Sequence, residues 1–542
     1  MRAIKFLRSF AGGFYDPRTV QEGIVPENAC TYMYNVDTST GLIRLVKGFQ
    51  KLINYAFPST IQGIWQDNYD NKIYVVSAGR LFQLDGTTYA VTSLTATAVF
   101  GTTTRVTFVR QGDYIFMVDG TVMPVVYNTA TASFVTTGTH YPSSWGANRF
   151  PLFVLTWNGR LFCFLKDNNT SGVQYDFIFY SKLYNPLDWR SSATDASAGG
   201  AFQIGQDGTR ITAIYPFNEL IWVAKEKGLY SFGGDTKFQT STASPEYDQT
   251  TFNYHLLYPN ISVSSPYGVV AYGGYVYFWG TNRVYVMSVS DYTSATNTPD
   301  SISDNITASI IDSNSAFKDV QAVYDTRMNR IWFNACKDQS SSKFDRVLCY
   351  SPVTKGWSSI RQSYSHNTYA NAVINGEVRI LSGGYASSPY IYLQEQGTTF
   401  DGTAIDWQFN TPYMVINEDY NCLPKYVTIY YKKTASEGFQ YNYALDFSQS
   451  TDEAFTIGAG EAVTSSWHDP NGAATSTWGS AYPSGTTGTY MTEKTQSMQL
   501  RIKNKGHRIR HQFSSSGISG ECDIISISVS YTTIGDKGTH AG

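Results

Sequence analysis

NELIWVAKEKGLYSFGG, residues 218–234, sets two apolar runs, 220–223 and 229–230, around Lys225, Glu226 and Lys227. The charged centre admits two readings: a catalytic cluster in an apolar frame, or the solvated tip of a β-hairpin. The pattern recurs, and the recurrence decides between them. NKIYVVSAGRLFQLDG (71–86), GDYIFMVDGTVMPVVYN (112–128) and GGYVYFWGTNRVYVMS (273–288) have the same polar lead, apolar strand, short polar turn and second apolar strand. Looser copies lie at 158–183, 329–352 and 376–395, which makes seven hairpins. Each follows another alternating strand, such as TIQGIWQD (60–67) or TRITAIYP (209–216).

A strand followed by a hairpin every roughly 40–60 residues has the period of four-stranded propeller blades. A blade cannot bury both faces alone, so blades stack around an axis, and their middle strands read apolar nearly throughout. Asp-Gly-Thr occurs at Asp85, Asp119, Asp207 and Asp401, and Asp-Gly suits the two positive-φ positions of a type I′ turn. Lys225, Glu226 and Lys227 are then expected in a turn between inner strands. Equivalent turns read SAGR, VDGT and GTNR, with no shared lysine or carboxylate. The cluster is expected to be solvated and non-catalytic.

Composition agrees. Aromatics are 15% of the 542 residues, charged residues only 15%, with 41 Tyr, 31 Phe and 45 Gly. Aromatic residues suit half-buried pleated surfaces, and glycine suits turns. The expected fold is all-β: an irregular β-propeller of six or seven blades, with an N-terminal extended arm and a C-terminal β-sandwich or platform. The arm is expected over 1–58, the propeller over 59–412 and the sandwich over 413–542, with 448–493 as a long exposed loop. Insertions are expected within 158–183 and 235–262.

A net charge of −3 gives no long-range attraction for a polyanion. The six cysteines contain no C-x-x-C pair and are expected as free thiols. No 18-residue apolar run is present, so no membrane insertion is expected, and MRAIKFLRSF is too short for a signal-peptide core; synthesis in a cytoplasm is expected. Phosphate-binding loops, H-E-x-x-H and G-x-S-x-G are absent, so no enzyme activity, cofactor or metal is expected. His507 and His511 are four apart, but Arg508 and Arg510 between them would repel a cation. Asp67 and Asp70 in QDNYDN read as a turn rather than a calcium loop. The densest basic run is Arg501, Lys503, Lys505, Arg508 and Arg510. It reads as a charged, protected edge strand or as a contact with a neighbouring subunit.

LYNPLDWRSS (183–192) with AFQIGQDGTRITAIYPFNELIWVAKEKGLYSFGG (201–234) resembles a segment of the tail nozzle proteins of short-tailed bacteriophages. The shared pattern is a D-W pair, an Asp-Gly turn, an I-T-x-I strand, a strand ending in a Lys/Glu turn and a tyrosine strand. Residues 12–49, including Asn35, Asp37, Gly41, Arg44 and Gly48, resemble that family's amino-terminal segment, and 503–535 its terminal sheet. Packaged-DNA stabilisation proteins belong to the same family. The resemblance implies a virion protein forming a hexameric ring at the distal end of the tail. An adaptor would sit above it, a needle or tip below, fibres nearby, and DNA would pass through without specific binding. A carbohydrate-binding or glycan-degrading propeller used in host attachment is the competing expectation. Exposed Tyr or Trp beside two carboxylates would favour it; aromatics buried between blades would favour assembly.

Overall fold

The computed structural model describes residues 2–21, 24–143, 145–146, 149–167, 176–192, 197–205, 207–217, 220–234, 252–288, 299–316, 319–362, 365–416, 422–433, 438–446, 453–457, 496–502, 506–518 and 520–533. They fall into two compact units: Lys51–Cys349 with Ser363–Gln394, and Met1–Gln50 with Tyr350–Gln362 and Glu395–Gly542.

The first unit is a propeller of seven antiparallel blades. Their first strands are Ile61–Asp67, Thr107–Gln111, Arg149–Trp157, Ile211–Phe217, Val269–Tyr272, Ala322–Asp325 and His366–Ile374. Blades 1 to 5 have four strands each in simple sequence order. Within this unit, blades 6 and 7 continue through Arg330–Ala335 and Arg346–Ser351, and through Glu377–Gly384 and Ile391–Gln394.

Period-2 alternation joins blade to blade, because successive side chains leave opposite faces of a strand. In blade 1, Ile73 and Val75 pack with Ala372, Ile374 and Leu381 of blade 7, which closes the ring. The intervening Tyr74 and Val76 pack with Ile115 and Met117 of blade 2. In blade 4, Ile221 and Val223 face Phe162 and Phe164 of blade 3, while Trp222 and Ala224 face Val276 and Phe278 of blade 5. Blades 2 and 3 share Phe116, Val118, Leu161 and Cys163. Blades 5 and 6 stack Tyr272 on Tyr324 at 4.0 Å, and blades 6 and 7 set Trp332 edge-on to Tyr369 at 6.3 Å.

The turns correct one expectation. Of the four Asp-Gly pairs, only Asp401–Gly402 has positive φ at both residues. Ala78–Gly79, Asn158–Gly159, Gly273–Gly274 and Asn375–Gly376 also do, so those are the propeller's type I′ turns. The carboxylates of Asp85 and Asp119 instead accept nearby backbone N–H groups, as at Thr87 and Thr121.

The second unit is a β-sandwich. One sheet contains Arg2–Leu7, Val36–Asp37, Ile43–Leu45, Cys522–Thr533, Cys422–Lys433 and Gln496–Arg501; the other contains Tyr32–Tyr34, Thr403–Asn410, Arg508–Ile518, Phe439–Leu445 and Glu453–Ile457. Val427, Ile429, Tyr431, Ile527 and Val529 are buried from the first sheet, and Trp407, Phe409, Phe439, Tyr441 and Phe513 from the second. Tyr431 meets Phe439 edge-on at 5.4 Å. The N-terminal arm thus supplies strands to both sheets.

The expected boundaries at 58 and 412 are corrected. Thr403–Asn410 pairs with Arg508–Ile518, and Gly356–Gln362 with Val36–Asp37, so their ladder hydrogen bonds tie both to the sandwich. Residues 51–58 go with the propeller, where Phe57 packs against blade 1. Glu453–Ile457, inside the expected loop, is a strand paired with Phe439–Leu445; most of 448–493 lies outside the described residues, as do 168–175 of the expected insertion at 158–183 and 235–251 of that at 235–262. One α-helix, Thr307–Ala316, occurs among the described residues.

Candidate functional site

The charged centre of the opening stretch divides in two. Glu226 and Lys227 are exposed, but Lys225 is the last residue of the strand Leu220–Lys225 and has no exposure. Period 2 puts it on the same face as Ile221 and Val223. Its Nζ donates to the Ile204 carbonyl at 2.7 Å, pairs with the Asp207 carboxylate and lies 5.6 Å from the centre of the Tyr230 ring. The expectation of three solvated charges is therefore wrong for Lys225. A buried ammonium with a carboxylate and a carbonyl to receive its protons is a structural ion pair. Arg160 and Arg330 are buried in the same way: Arg160 donates to the carbonyls of Ser181, Ser197 and Ala198, and Arg330 pairs with Asp325.

Near one end of the propeller axis, where the first strands begin, Arg105 bridges from blade 2 to blades 5, 6 and 7. Its guanidinium donates to Gln321 Oε1 at 3.2 Å and to the Asn367 carbonyl at 2.5 Å, and sits over Tyr267 at 5.1 Å. Asn367 Nδ2 donates to the Ile61 carbonyl, and Gln321 Nε2 to that of Tyr369. A cavity of about 160 Å³ remains there, lined by Gln62, Trp65, Arg105, Phe108, Tyr267 and Gln321 among others. A guanidinium does not give up its proton in proteins, so Arg105 pins blades together rather than serving as an acid or base.

The opposite end carries the turns between first and second strands. Tyr69 in QDNYDN is 84% exposed, with the Arg110 guanidinium 4.5 Å from its ring centre. Arg110 is paired with both Asp67 and Asp70 and also donates to Gly112 O and Thr129 Oγ1. Asp67–Asn71 is a turn, as expected, but its carboxylates engage blade 2 rather than a cation from solvent. Among the described residues no cluster of His, Cys, Asp and Glu could hold a metal ion.

The sandwich holds a larger cavity, about 520 Å³, lined by Arg44, Lys47, Lys432, Lys433, Glu521 and Asp523 over an apolar floor that includes Leu45 and Ile525. Arg44 holds Asp523 through two bonds of 3.0 Å.

The basic run does not form one edge strand. Arg501 ends Gln496–Arg501 in one sheet, whereas Arg508 and Arg510 begin Arg508–Ile518, an interior strand of the other. Lys503 and Lys505 lie outside the described residues. Arg510 lies over Tyr413 at 4.9 Å. The chain crosses between sheets within the run, so Arg501 and Arg510 leave opposite faces of the sandwich. His507 precedes the strand; His511 is wholly buried, with Nδ1 2.8 Å from Tyr441 Oη. Burial lowers the His511 pKa to about 3. All six cysteines are buried and free of disulfides.

Arg501 belongs to a feature that the sequence reading missed. Register partners share a face, and the outward face of the terminal sheet carries Ile4, Phe6, Ser526, Ser528, Ser530, Tyr426, Thr428, Tyr430, Ser497, Gln499 and Arg501. Among these only Arg501 is charged; the same rows run on to charged residues at the ends of the sheet, Arg2 opposite Thr532 and Lys432 opposite Asp523, which Arg44 also faces. Ile4 and Phe6 are 55% and 45% exposed, on an edge strand. The alternation of Ser with Ile and Val in IISISVSY was the available signal.

No protein-family model matches the sequence, and no curated protein does. Among solved structures, the chain is similar to the computationally designed Ika8 protein (9% identity, TM-score 0.36). It is also similar to the β-propeller domain of Myceliophteria thermophila Cps50 (Swd1) (8% identity, TM-score 0.38). Each match covers 64% of this chain and 99% of the other. Likenesses this distant carry no argument; the propeller assignment rests on strand order and the packing between blades. No helix among the described residues is long and apolar enough to cross a membrane.

Proposed function

We propose that this chain is a structural subunit of a phage tail nozzle, assembling as a ring of copies through which the genome leaves. The reading starts from the resemblance of residues 12–49, 183–234 and 503–535 to that family. The observation that carries it furthest is the uncharged centre of the terminal sheet's outer face, where Ser526, Ser528, Thr428, Tyr430, Ser497 and Gln499 lie inside a charged margin of Arg2, Arg501, Lys432 and Asp523. An outward sheet face normally bears Lys and Glu, and covering charges costs desolvation. A face of Ser, Thr and Tyr with Ile4 and Phe6 at its edge is inexpensive to cover, and tyrosine is enriched in protein interfaces.

Four strands of about six residues span roughly 20 Å by 20 Å, or about 400 Å². That is half of the roughly 800 Å² per partner in a standard interface. One such contact holds a pair weakly, but a closed ring gives every copy two. Three tryptophans support the same reading, since Trp222, Trp279 and Trp332 are packed between blades. A conduit should also not grip its cargo, because each Lys–phosphate contact adds salt-sensitive affinity. A net charge of −3 suits that role.

The test is Thr428→Lys combined with Gln499→Glu, two outward positions. Loss of ring assembly with an unchanged melting temperature is expected. A ring that forms equally well with both charges in place removes the sheet face from the account.

A further inference from the structure

We propose that the turn-bearing end of the propeller docks a saccharide chain on Tyr69 and Tyr184. The inference does not depend on the assembly reading. Every first strand runs the same way along the axis, so the turns that follow them gather at one end. Two tyrosines stand out there, 84% and 78% exposed. Each is backed on its inner side. The Arg110 guanidinium lies 4.5 Å from the Tyr69 ring centre. The Tyr184 ring lies against Gly159, where an added Cβ would come within 2.6 Å of it.

One strand end connects the two platforms. Arg110 turns toward blade 1, while the next residue, Gln111, donates Nε2 to the Gly159 carbonyl of blade 3 at 2.5 Å. Tyr69 is fixed further by its own N–H, which donates to Asp67 Oδ1 at 3.1 Å. Both rings are thus held in place before any ligand arrives, and preorganised contacts lose little entropy on binding. They stand two blade steps apart, each about 10 Å for packed sheets, which suits a chain of sugar units rather than a single one.

The chemistry between the rings favours a saccharide over a protein. A protein docking site is a contiguous apolar patch with a dry centre. Here the turns of blades 2 and 3 expose Asp113 and Asn158, so this end offers hydrogen-bonding groups as well as stacking surfaces. The electron-rich face of an aromatic ring meets the C–H face of a pyranose, while the polar groups meet its hydroxyls. Asp67 and Asp70 do not serve as a hydrolytic pair. Glycoside hydrolysis needs two carboxylates about 5–10 Å apart flanking the bond, whereas Asp67 and Asp70 both hold the one guanidinium of Arg110.

The experiment is a printed array of bacterial and eukaryotic glycans probed with full-length protein, Tyr69→Ala/Tyr184→Ala and Tyr69→Phe/Tyr184→Phe. Wild type should bind at least one saccharide class. The alanine pair should bind it about tenfold more weakly, the phenylalanine pair should retain it, and all three should melt together. No binding by wild type to any glycan overturns the proposal, as does undiminished binding by the alanine pair. Ring assembly should be the same in all three, so this failure is separable from failure of the nozzle reading.

Discussion

Lys225 and Asp207 form an ion pair in which the ammonium is wholly buried and the carboxylate is about one-third exposed, at 36%. The lysine closes the strand Leu220–Lys225 and reaches the segment leading into the blade's first strand. It staples the entry of blade 4 to its second strand. Thr209 Oγ1 also donates to Asp207, at 2.8 Å.

Removing Lys225 should therefore be costly where removing its neighbours is not. Lys225→Ser leaves the Ile204 carbonyl and part of the Asp207 carboxylate unsatisfied, and should destabilise by about 1–3 kcal/mol. Glu226→Ser/Lys227→Ser should stay within about 0.5 kcal/mol. Urea titration compares them, and equal effects would contradict the structural role of Lys225. Burial opposes ionisation of Asp207, but the bonds from Lys225 and Thr209 outweigh it and hold its pKa below the usual value. That contribution is present above the unfolded pKa near 4 and is lost as pH falls through the folded one.

Trp222 lies between blades 4 and 5, 3% exposed, edge-on to Phe278 at 6.2 Å and Phe217 at 5.5 Å. Trp222→Ala should cost about 3–5 kcal/mol. A cost under about 1 kcal/mol in thermal or urea unfolding would show that this interface does not hold the blades.

His366 and His511 are both held neutral by burial, with pKa values lowered to about 3. Between pH 6.5 and 3 the unfolded chain binds protons that the folded chain does not. Stability should therefore fall on acidification through that window, by about 1.4 kcal/mol per pH unit per histidine. His511→Gln should flatten its share of the slope. A urea midpoint constant from pH 7 to 5 would contradict the assignment.

Gly48 packs without room for a side chain: an added Cβ would fall 1.7 Å from the Thr399 carbonyl oxygen. Gly48→Ala forces backbone apart and should cost about 3 kcal/mol, read as loss of the sandwich's unfolding transition midpoint. A near-neutral result would mean that the strand Phe49–Lys51 is placed otherwise.

The blades were legible because their middle strands, covered on both faces, read apolar nearly throughout while side chains alternate between neighbouring blades, as from Ile73 to Val76. The same alternation could have placed Lys225, two residues beyond Val223, in the interior. Short turn residues hid it. The boundaries were not legible, since Thr403–Asn410 reads like any strand and only pairing a hundred residues away, with Arg508–Ile518, assigns it to the sandwich. The splitting of the basic run was hidden for a like reason: nothing local to Arg501 and Arg508 says that the chain changes sheets between them. Arg110 reaches Asp67 across 43 residues, so the fixed Tyr69 platform also needed the tertiary fold.

The central claim is assembly into a ring, and mass tests it most directly. The chain, tagged and isolated from cells that also make its tail partners, should give a native mass that is a multiple of 60.4 kDa, six copies by the family resemblance, with an annular outline in negative stain. A species of a single 60.4 kDa chain under those conditions, or tight binding of duplex DNA at physiological salt, would contradict the nozzle account.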